Sequence, residues 1–370
     1  RDTVRKKRMA LLLAVCMCTL LFFPVKAAEE EELEQIILEY EKYNTLFSAI
    51  EDIDDAEDNG FRIIEEQSFP VLLESFLDGE TEVHFVPVMY EKYNRLGILI
   101  TDSRGRVLYK TNQLETNNRW LGQMQQPTRE IAAVSFQDLD LDGLTDIILI
   151  TDCADGEGEE TESIYKVGDV LFQKEGGFYR DWRISDKINR FNMNKSAKFI
   201  ASYVRDGNST EILYTAATLD ELVENGFQIV QEQCYYRSFE KQGFLQVVPG
   251  VIRMAEYNIF MIYLVNSQGY IEWSFQPMGD YDNLYALKGM TCRDMDGDGM
   301  KDIVVLGRYS YTNLDGELTV DTRCSIYYQR TDGFAEDREF EDYYQCTTED
   351  TVSGLVDKIR AYWGWTVEND

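Results

Sequence analysis

Asp138-Leu139-Asp140-Leu141-Asp142-Gly143-Leu144-Thr145-Asp146 and, 156 residues later, Asp294-Met295-Asp296-Gly297-Asp298-Gly299-Met300-Lys301-Asp302 decide how this chain is read. Both follow the pattern D-x-D-x-D-G-x-x-D. Alternating aspartates in a tight loop turn several carboxylates inward, and the glycine at the sixth position allows a sharp turn. Calcium, a hard cation, takes six to eight oxygens at short range. The pattern therefore predicts two structural Ca2+ ions. Their side-chain ligands would be Asp138, Asp140, Asp142 and Asp146, then Asp294, Asp296, Asp298 and Asp302. Leu144 and Met300, at the seventh position, would add backbone carbonyls.

The residues around the loops set the fold class. An EF-hand needs a bidentate acid at its twelfth position and helices on both sides. The twelfth positions here are Leu149 and Val305. The flanks Ala133–Phe136, Ile147–Ile150, Leu287–Met290 and Ile303–Leu306 are apolar, and the exits are β-branched runs of strand type. Each loop is thus expected between two neighbouring strands.

At the same offset, Val170–Phe178 matches Ile326–Phe334, and the helix-like Phe199-Ile200-x-x-Tyr203 matches Leu355-Val356-x-x-Ile359. Upstream the offset drifts: Ser103-Arg104-Gly105 matches Ser267-Gln268-Gly269, and Asn59–Ile63 matches Asn225–Ile229. An internal repeat is a statement about architecture and precedes any choice of fold. The expected organisation is a signal peptide at 1–28, an acidic N-terminal helix at 29–58, and two tandem homologous β-rich repeats at 59–206 and 207–370. The predicted class is mainly β with a few helices. The N-terminal helix would bury the stripe Leu33, Ile36, Ile37, Tyr40, Tyr43, Phe47 and Ile50.

A strand, D-x-D-x-D-G-x-x-D and a second apolar strand resemble the calcium loop of FG-GAP or VCBS-type repeats, as in integrin α-subunit propellers. The resemblance covers roughly 20 residues of each half, which is the loop with its flanks. It implies the same eight aspartate ligands and a structural role for the ions in supporting an extracellular binding surface. The Phe-Gly and Gly-Ala-Pro signatures of that family are missing, and only two loops occur. Each half is therefore expected to form either propeller-like blades or a compact β module with a helix on its flank.

Composition narrows the function further. A formal charge of −31 leaves no basic face for nucleic acid and no polybasic patch for anionic lipid. Arg5–Arg8, the apolar run Met9–Val25 and the small residues around Ala27 read as an export signal. Removing residues 1–28 takes away six basic residues and one acid, leaving a body near −36. Membrane contact is expected only through an uncleaved signal segment, and the location is extracellular or cell-surface. Cys153, Cys234, Cys292, Cys324 and Cys346 remain. They read as buried thiols, with room for one disulfide whose pair the sequence does not name.

No catalytic constellation emerges. His84, the single histidine, reads as a strand residue, and no nucleophile elbow or phosphate loop is present. The acidic run Asp155–Glu162 reads as a solvated loop. Many tyrosines, with Trp120, Trp182, Trp273, Trp363 and Trp365, suit a glycan or protein ligand. The expected function is a secreted or surface binding or adhesion module with calcium as a clip. The alternatives are a structural or sensory part of an envelope assembly, or an extracellular carbohydrate-active enzyme.

Overall fold

A computed structural model describes residues 34–77, 82–117, 128–155, 163–279, 281–312 and 317–365. The expected signal segment, Trp120 and acidic residues 156–162 lie outside them. The chain is mainly β, built from open antiparallel sheets, with eight helices among the described residues. It divides into two compact units, residues 1–185 and 186–370.

The first unit begins with helix α1 (34–49) and a short helix α2 (Ile53–Asp58). Asp52 caps α2 by accepting the Asp55 N–H, the ordinary N-cap arrangement. Strands β1 (Phe61–Ile63), β2 (Phe69–Val71), β3 (Val83–Tyr90), β4 (Arg95–Thr101) and β5 (Val107–Thr111) follow. They form a sheet in the order β1-β3-β4-β5, with β2 also pairing to β3. A second sheet runs in simple succession through β6 (Thr128–Gln137), β7 (Asp146–Asp155), β8 (Ser163–Lys174) and β9 (Gly177–Tyr179).

The first sheet is apolar on both faces, as the continuous run Val83–Tyr90 requires. Val83, Phe85 and Met89 join Ile98 and Ile100 on the face that meets Ile147, Leu149 and Leu171 of the second sheet. Val86, Val88 and Tyr90 face the other way, against Tyr43, Phe47 and Ile50 at the end of α1. The C-terminal half of the predicted helix stripe is thus core packing. Each such buried side chain contributes about 2 kcal/mol of burial free energy.

The second unit starts within α3 (Trp182–Arg190) and continues with α4 (Ala197–Asp206), α5 (Ile212–Thr215) and α6 (Leu219–Glu224). Its first sheet has the order β10-β12-β13-β14, with β11 pairing to β12. These strands are Gln228–Ile229, Tyr235–Phe239, Gly243–Met254, Tyr257–Val265 and Ile271–Phe275 for β10 to β14. Its second sheet is β15 (Asn283–Arg293), β16 (Asp302–Thr312), β17 (Leu318–Arg330) and β18 (Gly333–Glu336), again in succession. The chain closes with α7 (Glu339–Tyr343) and α8 (Val352–Tyr362).

Alternation along β16 divides the core of this unit. Ile303 and Val305 pack with Val247, Phe260 and Ile262 of the first sheet. Val304 and Leu306 pack under Leu355, Val356 and Ile359 of α8. The helix-like match proposed for Phe199 behaves differently: Phe199 joins the core with Phe260 and stacks on Tyr257 at 5.0 Å. At the start of the last strand of each unit, an aromatic side chain leans on a glycine. A Cβ at Gly177 would meet the Tyr109 ring at 2.9 Å, and one at Gly333 would meet Trp273 at 2.2 Å. Those glycines are therefore fixed by close approach.

Candidate metal centres

Each acidic loop is the connection of a hairpin. The pair Gln137↔Asp146 closes the β6–β7 hairpin, and Arg293↔Asp302 closes β15–β16. The loops therefore project from the same end of corresponding sheets, entered and left by strands.

Their internal hydrogen bonds agree closely. Asp138 Oδ2 accepts the Gly143 N–H at 2.9 Å, and Asp294 Oδ2 accepts the Gly299 N–H at 2.8 Å. Asp142 Oδ1 accepts from Leu144 N–H, and Asp298 Oδ1 from Met300 N–H, both at 2.8 Å. The ninth residue is the anchor. Asp146 Oδ2 accepts the Leu139 N–H and its Oδ1 the Gln173 N–H, each at 2.8 Å. Asp302 does the same with Met295 at 2.7 Å and Gln329 at 2.8 Å. Both anchors are fully buried. One carboxylate thus ties the start of the loop to the third strand of its sheet.

The predicted residues come together in part. One oxygen each from Asp138, Asp140 and Asp146 lies within 4.8 Å of the others, and so do oxygens of Asp294, Asp296 and Asp298. Asp142 and Asp302 fall outside these two triads and are held by the N–H groups named above. Leu144 and Met300 are held through their own N–H groups. The donor set is entirely oxygen, which fits a hard cation and not a soft one.

Electrostatics match that fit. Burial raises the Asp146 and Asp140 carboxyls above the ordinary range, with neighbouring aspartates adding to the effect. In the second loop burial pushes Asp302 up to about 7, and Asp298 is also raised, by burial first and then by Asp296. Ionised carboxylates here lack a full complement of positive charge.

The two loops differ in what stands over them. Arg330 reaches the second loop, its guanidinium 3.0 Å from Asp296 Oδ2 and 3.3 Å from Asp298 Oδ2. Arg360 Nε donates to the Asp294 carbonyl at 2.9 Å, and Trp365 lies against Gly297. In the first loop Lys174, the counterpart of Arg330, sits over the Tyr179 ring at 3.5 Å instead. The fourth loop position is left-handed in both, at φ 63° for Leu141 and φ 81° for Gly297. A leucine with that backbone is strained, and it is 71% exposed.

Sequence reading missed the braces outside the pattern. Glu74 accepts the Thr145 N–H at 2.8 Å, the Thr145 hydroxyl at 2.9 Å and Gln173 Nε2 at 3.1 Å. Glu240 accepts the Lys301 N–H at 2.9 Å, the Lys301 ammonium and Gln329 Nε2 at 3.0 Å. Burial alone would raise Glu240, but donation by Lys301 and Gln329 holds it down to about 2. A signal existed: at the 166-residue offset that aligns Asn59 with Asn225, Glu74 falls on Glu240.

Other predicted features are peripheral. His84 lies in β3, half-buried beside a shallow groove. Trp182 is exposed, Trp273 leans on Phe334, and Trp363 donates to the Tyr328 hydroxyl at 2.8 Å. No described helix is long and apolar enough to cross a membrane. No protein family, curated protein or solved structure matches the chain.

Proposed function

We propose that this chain is an exported calcium-binding protein of FG-GAP/VCBS-like character, a secreted or surface binding module whose two ions clip β hairpins. The observation that carries the reading is the pair of oxygen triads at the closed ends of β6–β7 and β15–β16, each anchored by a buried aspartate. Like charges 4.8 Å apart repel by about 3 kcal/mol at an effective dielectric near 20. A divalent cation turns that repulsion into attraction and fixes the turn.

The two units carry the same strand order in both of their sheets, which supports a duplicated unit. Calcium here is structural. The loops join adjacent strands whose register is already set, so an ion would stiffen the hairpins and not rearrange them. Ligand recognition falls to exposed aromatic surface. Tyr236 and Phe244 stack in parallel at 5.4 Å on an exposed sheet face of the second unit, an arrangement that suits a glycan ring or a protein side chain.

Calorimetric titration of the purified chain tests the metal reading. Two calcium sites are expected with dissociation constants of about 0.1–1 mM, the range of extracellular modules. Asp140→Ala should remove one and Asp296→Ala the other. Absence of any heat up to 10-fold above that range contradicts the reading. A glycan array run with calcium tests the ligand class: no glycan bound, or binding unchanged in Tyr236→Ala, removes the aromatic platform from the account.

A further inference from the structure

Cys324 and Cys346 are brought together at the edge of the second unit. Cys324 lies on β17 and is buried in the core under α8; Cys346, in the segment between α7 and α8, packs against that same core and is partly accessible. Both line one polar cavity of about 370 Å³, together with Tyr281, Asp321, Arg323 and Glu341. The β17 edge is free of β18 at this point, since β18 pairs only with Tyr327–Arg330. The segment carrying Cys346 packs against the same core and lines the same cavity as Cys324.

From this placement we propose that Cys324 and Cys346 are a dithiol site that closes to a disulfide, clamping the segment before α8 onto β17. The oxidant is another disulfide, of a small thiol or of a thiol oxidoreductase. Cys346, the accessible sulfur, attacks as thiolate and forms a mixed disulfide, expelling one thiolate. Cys324 then gives its proton to the other sulfur of the mixed disulfide and attacks Cys346 Sγ, forming the Cys324–Cys346 bond and expelling that other sulfur as a thiol. Two thiols are oxidised to one disulfide and the incoming disulfide is reduced to two thiols.

The surroundings assign these roles. Cys324 and Cys346 share the lining of that cavity, and Cys346 is the more accessible of the two. The neighbouring Cys324 side chain outweighs burial and the nearby Asp350 and Glu341, and lowers the Cys346 pKa. Cys346 beside it, with burial, raises Cys324. An accessible sulfur beside a buried partner is the arrangement of an attacking and a resolving cysteine. The other described cysteines lack it: Cys153 bonds to Thr116, Cys292 to Tyr235, and Cys234 to the Val230 carbonyl.

The two cysteines lie 22 positions apart, and the loop they close includes α7. Its closure should raise the melting temperature of the oxidised protein by about 5–10 °C over the reduced form.

The test is disulfide mapping of the intact chain after equilibration with oxidised glutathione. The expected product links the tryptic peptides Cys324–Arg330 and Glu339–Lys358. Cys346→Ser should leave Cys324 unlinked and abolish the melting shift. Full alkylation of both cysteines after oxidation, or linkage of Cys324 to a different cysteine, overturns the proposal. A linked product that melts within 1 °C of the reduced form overturns the clamp. The mapping uses the unaltered protein, so it decides the pairing whether or not the variant folds.

Discussion

Replacing Gln329 by alanine isolates the brace behind the second acidic loop without touching a proposed metal ligand. The Gln329 side chain is fully buried. Its Nε2 donates to Glu240 Oε2 and to the Lys301 carbonyl, both at 3.0 Å, and its Oε1 accepts the Lys241 N–H at 2.7 Å. Truncation removes all three bonds. The Lys241 and Lys301 backbone groups lie near the surface, so water partly replaces the lost partner and each loss costs about 1 kcal/mol. The bond to the charged Glu240 is worth about 1.5 kcal/mol. The sum is about 2–4 kcal/mol, or a fall of about 5–12 °C in the melting of a unit of this size. Circular dichroism melts of Gln329→Ala and Gln329→Glu against the unaltered chain check it. Gln329→Glu keeps the shape but sets a carboxylate against Glu240, so it should be at least as damaging at pH 7. A fall below 1 °C in Gln329→Ala, or a Gln329→Glu that melts like the original, refutes the reasoning.

Three further outcomes are expected. Arg330→Gln should tighten calcium at the second loop about tenfold, because a guanidinium some 6 Å from a divalent ion opposes it by about 1.4 kcal/mol even in water; calorimetry that leaves the site removed by Asp296→Ala unchanged counts against this. Leu141→Asn should stabilise the first unit by about 0.5–1 kcal/mol, since asparagine tolerates a left-handed backbone and the leucine side chain is exposed; urea unfolding reads the gain, and a loss contradicts it. Burial pushes Asp169 up to about 6, against the pull of Arg180 and the Ser185 hydroxyl. The folded state thus holds this proton more tightly than the unfolded chain does. The favourable contribution is present below about pH 4 and is lost as pH rises to about 6, at a cost of roughly 3 kcal/mol. Asp169→Asn should flatten that fall in urea titrations between pH 4 and pH 7, and parallel curves for both proteins would disprove it.

The strands around both loops were legible because alternating aspartates followed by Gly and a β-branched run have one economical solution, a hairpin connection. Ile147–Ile150 and Ile303–Leu306 then had to be strands. The short helices α5, α6 and α7, of four to six residues, carried too few residues to show a period. Glu74 and Gln173 lie 99 residues apart, and no local pattern links them; only the sheet brings them together. The same holds for Cys324 and Cys346, which read as two among five equivalent thiols until β17 and the approach to α8 bring them to one cavity. Arg330 was visible as a charge, but that it lies over Asp296 and Asp298 depends on the β17 register. Short-range chemistry was therefore readable from spacing, whereas its braces and its counter-ions are properties of the topology.

The central claim is that the two acidic loops hold calcium as a structural clip. Thermal melting of the intact chain in 2 mM calcium and in excess chelator tests it most directly. At about 10 times the dissociation constant, each bound ion adds about 1.4 kcal/mol, so chelation should lower the melting temperature of each unit by about 3–6 °C. Asp140→Ala with Asp296→Ala should melt at one temperature in both conditions. If the unaltered protein melts alike with calcium and with chelator, the loops are acidic turns and the claim is wrong.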